Sequence, residues 1–238
     1  MSRTIAICQP HYLPWIGYFE MIDRVDAFYF HDDVDFIKQE WKNRNRIRKE
    51  QTGVETRWLT VPVERSCQHD TPLREVRIAA DRAWRRRHRN TFRHVYRRAP
   101  HGDEAFELLD RGLAAGAASL ADLNVHLVAG ICAYLGITTP LERTSALAAG
   151  GRRTAKLVDL CERAGADAYL ANNGSAAYLD LELFSAAGLE CRYQDYVHPE
   201  YVQSSGGSRL PFVSHLSVLD LVANHGPRSL AVLREGRR

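Results

Sequence analysis

Residues 4–23 read TIAICQPHYLPWIGYFEMID. The stretch opens on a short β-branched run, Thr4 to Cys8, with the composition of a buried strand. It closes on a segment with helical spacing, Tyr18 to Arg24, and is followed by a second strand-like run, AFYF at 27–30. Strand, loop, helix and strand within about 30 residues make a βαβ unit. Its two strands should lie parallel, with a right-handed connection. The loop between first strand and first helix is unusual. It carries Gln9, Pro10, His11, Tyr12, Pro14, Trp15 and Gly17, more polar rings and rigid turn residues than a plain connection requires. A loop of this kind is equipped to hold something.

Outward from this unit the alternation continues. Residues 37–50 are polar and basic, and their Asn-Arg alternation is poor material for a helix before Ile47. Strands are expected at 58–63 and 76–78, and a strongly basic helix at 84–98 stopped by Pro100. Helices at 103–114 and 119–135 follow, the second opened by Ser119 with Asp122 in a box-like cap. Further strands are expected at 137–142, 168–171 and 190–193. Helices are expected at 154–164, 180–187 and 216–223, with residues 203–211 as a flexible loop. The pattern predicts one α/β domain over 1–238, a three-layer Rossmann-like parallel sheet of nucleotidyl-transferase-like topology. Residues 80–150 read as a helical, arginine-rich insertion or cap, and 227–238 as a flexible tail.

The totals allow a sizeable core, as one large domain or two small ones. The chain has 238 residues, 45% hydrophobic, with 32 basic and 29 acidic side chains. Its charge is local: Lys and Arg concentrate between residues 38 and 98, which reads as one basic face. Five widely spaced cysteines with no C-x-x-C pair argue against a disulfide framework or zinc knuckle. No apolar run reaches 18 residues and no signal peptide precedes the first strand, so a cytoplasmic protein without a membrane partner is expected.

In open α/β sheets ligands bind beyond the carboxyl ends of the strands. That rule gathers the 9–18 loop, His31-Asp32-Asp33 and Asn172-Asn173-Gly174 at one rim. The arginine-asparagine segment is expected to close the same cavity. Gln9 offers an amide to read a ligand edge. Pro14 and Gly17 leave backbone N–H groups at the helix start, a seat for phosphate or carboxylate. Asp32 is placed to take a ribose hydroxyl, a metal or an amine proton. Arg44 and Arg46, interleaved with Asn43 and Asn45, suit a phosphate. His88, one turn from Trp84 on the basic helix, is a second candidate base. Each has a plainer reading as turn, cap, solvated face or packed core. Cys8 beside His11 invites a thiol–imidazole reading, against which stands its place inside an apolar run. The charge density of Arg82 to Arg98 suits a tRNA backbone, without a recognised nucleic-acid motif. No metal site is spaced out in the sequence.

Class I nucleotidyl transferases and tRNA synthetases place His-x-Gly-His where this chain has Trp15-Ile16-Gly17-Tyr18. The glycine and the location match; both histidines are missing. ATP cleavage by their mechanism is therefore not expected.

The chain resembles the WbqC-like protein family of bacterial polysaccharide and natural-product gene clusters. The motifs that carry the resemblance run in order from IAICQPHYLPWIGYF through FYFHDDVDFIKQEWKNRNRI, WLTVPV, WRRRH, ADAYLANNGSAAYLD and YQDYVHPEYVQ to LSVLDLVANHG. Cys8, His11 and Asn172-Asn173 depart from the family pattern, and the SSGGSR loop is longer than usual. The resemblance marks Gln9, Tyr12, Trp15, Asp32, Asn43, Arg44, Arg46, Trp84, His88, Tyr169, Tyr178 and Gln203 as motif positions.

The resemblance implies an aminoacyl or acyl transferase, glycyl transfer included, acting on an amine of a sugar nucleotide or natural-product intermediate. In that reading Asp32 or His88 takes the amine proton. Gln9, Tyr12, Trp15, Asn43, Arg44, Arg46, Trp84, Asn173, Tyr178 and Gln203 bind substrate. The expected partners are a phosphate-bearing small molecule and an aminoacyl-tRNA or other carrier-bound donor; homodimerisation is left open, and no cofactor is named. The alternatives are a degenerate nucleotidyl transferase or adenylate-forming ligase, and a non-catalytic binding protein for a nucleotide or acidic metabolite.

Overall fold

The computed structural model describes residues 2–38, 40–67, 70–81 and 83–238. The opening unit forms as the sequence predicts. Strand β1 (Thr4–Cys8) leads through the loop into helix α1 (Ile16–Asp23) and strand β2 (Ala27–Phe30). β1 and β2 pair in parallel, Ile5 opposite Ala27 and Cys8 opposite Phe30.

After β2 the chain leaves the sheet. Strands β3 (Arg44–Arg48) and β4 (Thr56–Thr60) form a separate antiparallel hairpin, Arg46 opposite Trp58. Helices α2 (Ala83–Tyr96), α3 (Gly102–Ala114) and α4 (Leu120–Leu135) follow. Strand β5 (Leu141–Arg143), helix α5 (Arg153–Arg163), strand β6 (Ala168–Ala171), helix α6 (Leu181–Ala186) and strand β7 (Glu190–Tyr193) complete the second half. A two-residue ribbon, β8 (Ser204–Ser205) with β9 (Ser208–Arg209), precedes helices α7 (Val218–His225) and α8 (Ser229–Arg234).

The central sheet has five strands in the order β5-β2-β1-β6-β7, all parallel. Because successive side chains of a strand point to opposite faces, the sheet feeds two cores. Ala6, Phe28, Phe30 and Leu170 pack with α1, α3, α4 and α7 on one face. Ile5, Ile7, Ala27, Tyr29 and Tyr169 pack with Leu160 and Cys161 of α5 and Phe184 of α6 on the other. This is a three-layer, Rossmann-like α/β fold. The strand order reverses direction at β1, so β1 and β6 flank the topological switch point, where ligands bind in such sheets.

Four local expectations change. The Asn-Arg segment, read from sequence as poor material for a helix and not assigned to a strand, is β3, because Asn45 and Ile47 turn into the core while Arg44 and Arg46 stack on the indole of Trp58 across the hairpin. Residues 76–78 form no regular strand: a 3-10 turn over Leu73–Glu75 is followed by single bridges from Arg77 to Ser119 and from Ile78 to Val63. The strand expected at 137–142 starts only at Leu141, past Pro140. Where the sequence suggests a loose tail, α8 docks on α1, with Arg234 and Arg237 paired to Asp23.

All five cysteines are free thiols. Among the described residues, no helix is long and apolar enough to cross a membrane.

Candidate functional site

The loop after β1 is pinned from several sides. His31 N–H donates to the Cys8 carbonyl at 2.8 Å, tying the ends of β2 and β1. The Tyr18 hydroxyl donates to the Gln9 carbonyl at 2.9 Å. Buried Asn124 donates to the carbonyls of Pro10 (2.9 Å) and Lys42 (2.7 Å). Asn45 donates to the carbonyl of Leu13 at 2.7 Å, and Leu13 sits at φ +46°, a strained conformation for a leucine. The loop's polar residues thus serve two purposes. Some hold backbone in place; the rest face open space.

That space is three cavities sharing this loop as a wall. The largest, about 510 Å3, lies at the switch point. Cys8, Gln9 and His11 form its β1 side, His31 its β2 side, and Asn172, Ser175 and Tyr178 the loop after β6. The start of α5 closes it with Arg153, Thr154 and Lys156. A second cavity of about 280 Å3 opens on the other side of Cys8 and Asn172, reaching Trp15, Gly17, Asn173 and Gln194. A third, about 300 Å3, lies between His11 and the β3–β4 hairpin.

The charges at the switch-point cavity are arranged around Asp33. Lys156 Nζ donates to Asp33 Oδ2 at 2.8 Å, and Thr144 donates to Oδ1. His31 Nε2 stands 3.7 Å from Asp33 Oδ1. Burial resists ionisation of Asp33, but the Lys156 and Thr144 bonds with the nearby positive charge outweigh it, and its pKa falls below the ordinary value. Burial pushes His31 down to about 4, Asp33 opposing and Lys156 assisting. His11 falls to about 3 through burial and the charge of Lys42. Both imidazoles are therefore neutral at physiological pH. Burial pushes the Cys8 thiol up to about 12, so it is not an activated nucleophile. The positive charges are Arg153 and Lys156, beside the first turn of α5, whose N-cap residue Arg152 supplies no side-chain cap. Among the described residues no His, Cys, Asp and Glu cluster is placed to hold a metal ion.

The sequence candidates divide. Gln9 and Tyr178 line the switch-point cavity, Trp15 and Asn173 the second, and Trp15 and Arg46 the third. Asp32 does not face any of them. It is fully buried, accepting from the Ser145 N–H (3.1 Å), the Ser145 hydroxyl (3.0 Å) and Arg143 (3.4 Å). His88 and Trp84 are also in the core, His88 sharing a 2.8 Å hydrogen bond with the hydroxyl of Tyr12. Asn43 donates to the Val61 carbonyl. Gln203 is buried against Asp220 and Arg48. Arg44 lies over Trp58, 4.3 Å from the ring centroid. Gln9, Asp32 and Arg44 therefore do not share one cavity, because Asp32 turns inward onto Ser145 and Arg143 and the hairpin carries Arg44 outward. The expected phosphate seat at α1 is covered: the Trp15 ring packs on Gly17, where a Cβ would come within 2.3 Å of it. Arg82 lies outside the described residues.

The chain belongs to the WbqC-like protein family. Its family model matches residues 9–232, from the β1 loop to α8. A relative in Mycobacterium tuberculosis (strain ATCC 25618 / H37Rv), "Uncharacterized protein Rv1507c", is 33% identical over 238 residues, covering 99% of this chain and all of that protein. No solved structure matches the chain.

The sequence by itself gives Lys156, Arg153 and Thr154 no role at the site, and His31 only a place at the rim. The available signal was Gly150-Gly151-Arg152-Arg153-Thr154, a glycine pair running into a helix start after a strand.

Proposed function

We propose that this WbqC-like protein transfers an activated acyl or aminoacyl group to an amine of a phosphate-bearing acceptor held at the switch-point cavity. The observation that supports this reading most is the make-up of that cavity: Arg153 and Lys156 on one wall, neutral His31 and the amide of Gln9 on the others. The two cations and the uncapped first turn of α5 suit a phosphate or carboxylate. Gln9 and Tyr178 orient the acceptor. The amine lone pair attacks the donor carbonyl; the C–N bond forms and the bond to the donor's leaving group breaks. His31, in place of Asp32 or His88, takes the proton that the amine sheds, and Asp33 stabilises the resulting imidazolium.

The test is product mass after incubation with pooled amino acids, ATP, tRNA and amino-sugar nucleotides. An acceptor heavier by one acyl group is expected from the wild type. His31→Ala should lose turnover and still bind acceptor, while Lys156→Ala should lose acceptor affinity. Acceptor bound but unaltered under every donor condition would leave a binding protein and end the transfer reading.

A further inference from the structure

We infer that the third cavity, between His11 and the β3–β4 hairpin, is a nucleobase-stacking site that takes the base and phosphate of a nucleotide. This inference needs only that cavity and does not rest on the transfer chemistry.

Two tryptophans on the hairpin side are conspicuous. Trp41 and Trp58 are each 43% exposed, with ring centroids 5.5 Å apart. Large aromatic surfaces are seldom left side by side in water unless something covers them. Two guanidiniums lie against this pair. Arg44 lies 4.3 Å from the Trp58 centroid, and Arg46 lies 5.8 Å from Trp58 and 5.9 Å from Trp41. Neither arginine meets a carboxylate among the described residues, although the chain is otherwise rich in arginine–carboxylate pairs. Among the described residues, both guanidiniums lie against the indoles.

The pocket continues inward from this pair. Trp41 and Arg46 form its outer wall; Trp15 and His215, stacked 5.1 Å apart, form the inner one with His11. Its volume of about 300 Å3 is at the lower end for small-molecule sites. An occupant must bring a flat π surface and a negative charge. A nucleotide brings both: aromatic side chains stack bases whatever their identity, and a guanidinium fork takes the phosphate.

The one amide in the wall is already committed. Asn45 donates through Nδ2 to Leu13 and accepts through Oδ1 from the Arg46 N–H. It has little left to read a base edge, so the site recognises the base by stacking and discriminates weakly between bases. His11 lines both this pocket and the switch-point cavity, so a nucleotide here abuts the proposed acceptor.

Two sources supply the same chemistry: a free nucleotide, and the single-stranded 3′ end of an RNA. Quenching of intrinsic tryptophan fluorescence in the full chain should be titrated with AMP, GMP, ribose 5-phosphate and a short single-stranded RNA ending in CCA. Saturable quenching by AMP and GMP alike is expected, with ribose 5-phosphate much weaker. Trp41→Ala and Arg46→Gln should each weaken AMP binding about tenfold, the scale of one lost stacking or charged contact. Trp58→Ala, equally exposed and in contact with the Arg46 guanidinium, is a second probe should Trp41→Ala fail to fold, and Arg111→Ala on α3 should change nothing. RNA binding far tighter than AMP assigns the source to RNA; equal binding assigns it to free nucleotide. No saturable binding by either, or binding untouched by both hairpin variants, overturns the inference. The transfer reading survives that result, since Trp41 and Arg46 do not line the switch-point cavity. Conversely, loss of acceptor binding in Lys156→Ala leaves AMP quenching intact.

Discussion

Lys156 Nζ lies 2.8 Å from Asp33 Oδ2, joining the first turn of α5 to the end of β2 across the switch point. Both side chains are largely out of water, 15% and 12% exposed. Lys156→Met leaves Asp33 with its Thr144 bond and no counter-charge. The expected cost is about 2–3 kcal/mol at pH 7, the low end for a broken buried pair because both groups keep a solvent edge. Asp33 has a depressed folded pKa, so its stabilisation is present above the unfolded carboxylate value and is lost as pH falls through the lower folded value. Urea denaturation should show the gap between wild type and variant closing below about pH 4.

Tyr12→Phe tests whether His88 is a structural histidine. The Tyr12 hydroxyl is the side-chain partner of the His88 ring in the core. Removing it should cost about 1–2 kcal/mol, the price of one buried polar group left unmet. Ligand binding at the rim should be unchanged in the folded variant, because neither residue lines the cavities. A calorimetric titration that shows lost binding at full stability would return His88 to the site.

Buried imidazoles, His31 and His88 among them, make the protein acid-labile above the range of its carboxylates. His31 and His88 are each held down to about 4, chiefly by burial. With folded values below the unfolded one of about 6.5, the unfolded chain binds more protons across the interval between them. Stability should therefore fall steadily from about pH 6.5 to about pH 4 and level off below that for these two groups. Replacing His88 by Gln should flatten part of that slope, as read from unfolding midpoints at successive pH values.

Gly17→Ala should damage two cavities from one position. The added Cβ would meet the Trp15 ring at 2.3 Å, and that ring is already stacked on His198 and His215. A shift of Trp15 is unavoidable, at about 2 kcal/mol for an overpacked site. Since Trp15 lines both smaller cavities, AMP quenching should weaken along with the unfolding midpoint.

Asp220 is the centre of a buried polar cluster that holds the hairpin to α7. It accepts from Tyr96 (2.8 Å), Tyr201 (2.9 Å) and Gln203 (2.8 Å) with Arg48 nearby. Asp220→Ala strands these donors without water and should cost about 3 kcal/mol or more. Thermal unfolding of the purified variant checks it; a loss under 1 kcal/mol would mean that water replaces the carboxylate.

The sequence by itself determined the parallel sheet and the rim. Seven strand-like runs among segments of helical spacing, five of which enter the sheet, leave few ways to bury both faces, and a parallel sheet between two helical layers is one that does. The QPHYLPWIGY loop had to follow β1, and the fold places that strand beside the switch point. Family membership was equally legible, carried by motifs in order along the chain.

Only the tertiary structure decided which polar residues face the cavities. Asp32 and Asp33 are neighbours in sequence with the same charge, yet one closes on Ser145 and Arg143 and the other on Lys156 and Thr144. Their partners come from segments more than 100 residues away. The Asn-Arg run became a strand because Trp58 and its neighbours paired with it, not because its own residues favour one. Local spacing fixes which face of an element a side chain takes; burial, and the partner found there, depends on what the rest of the chain packs against that face.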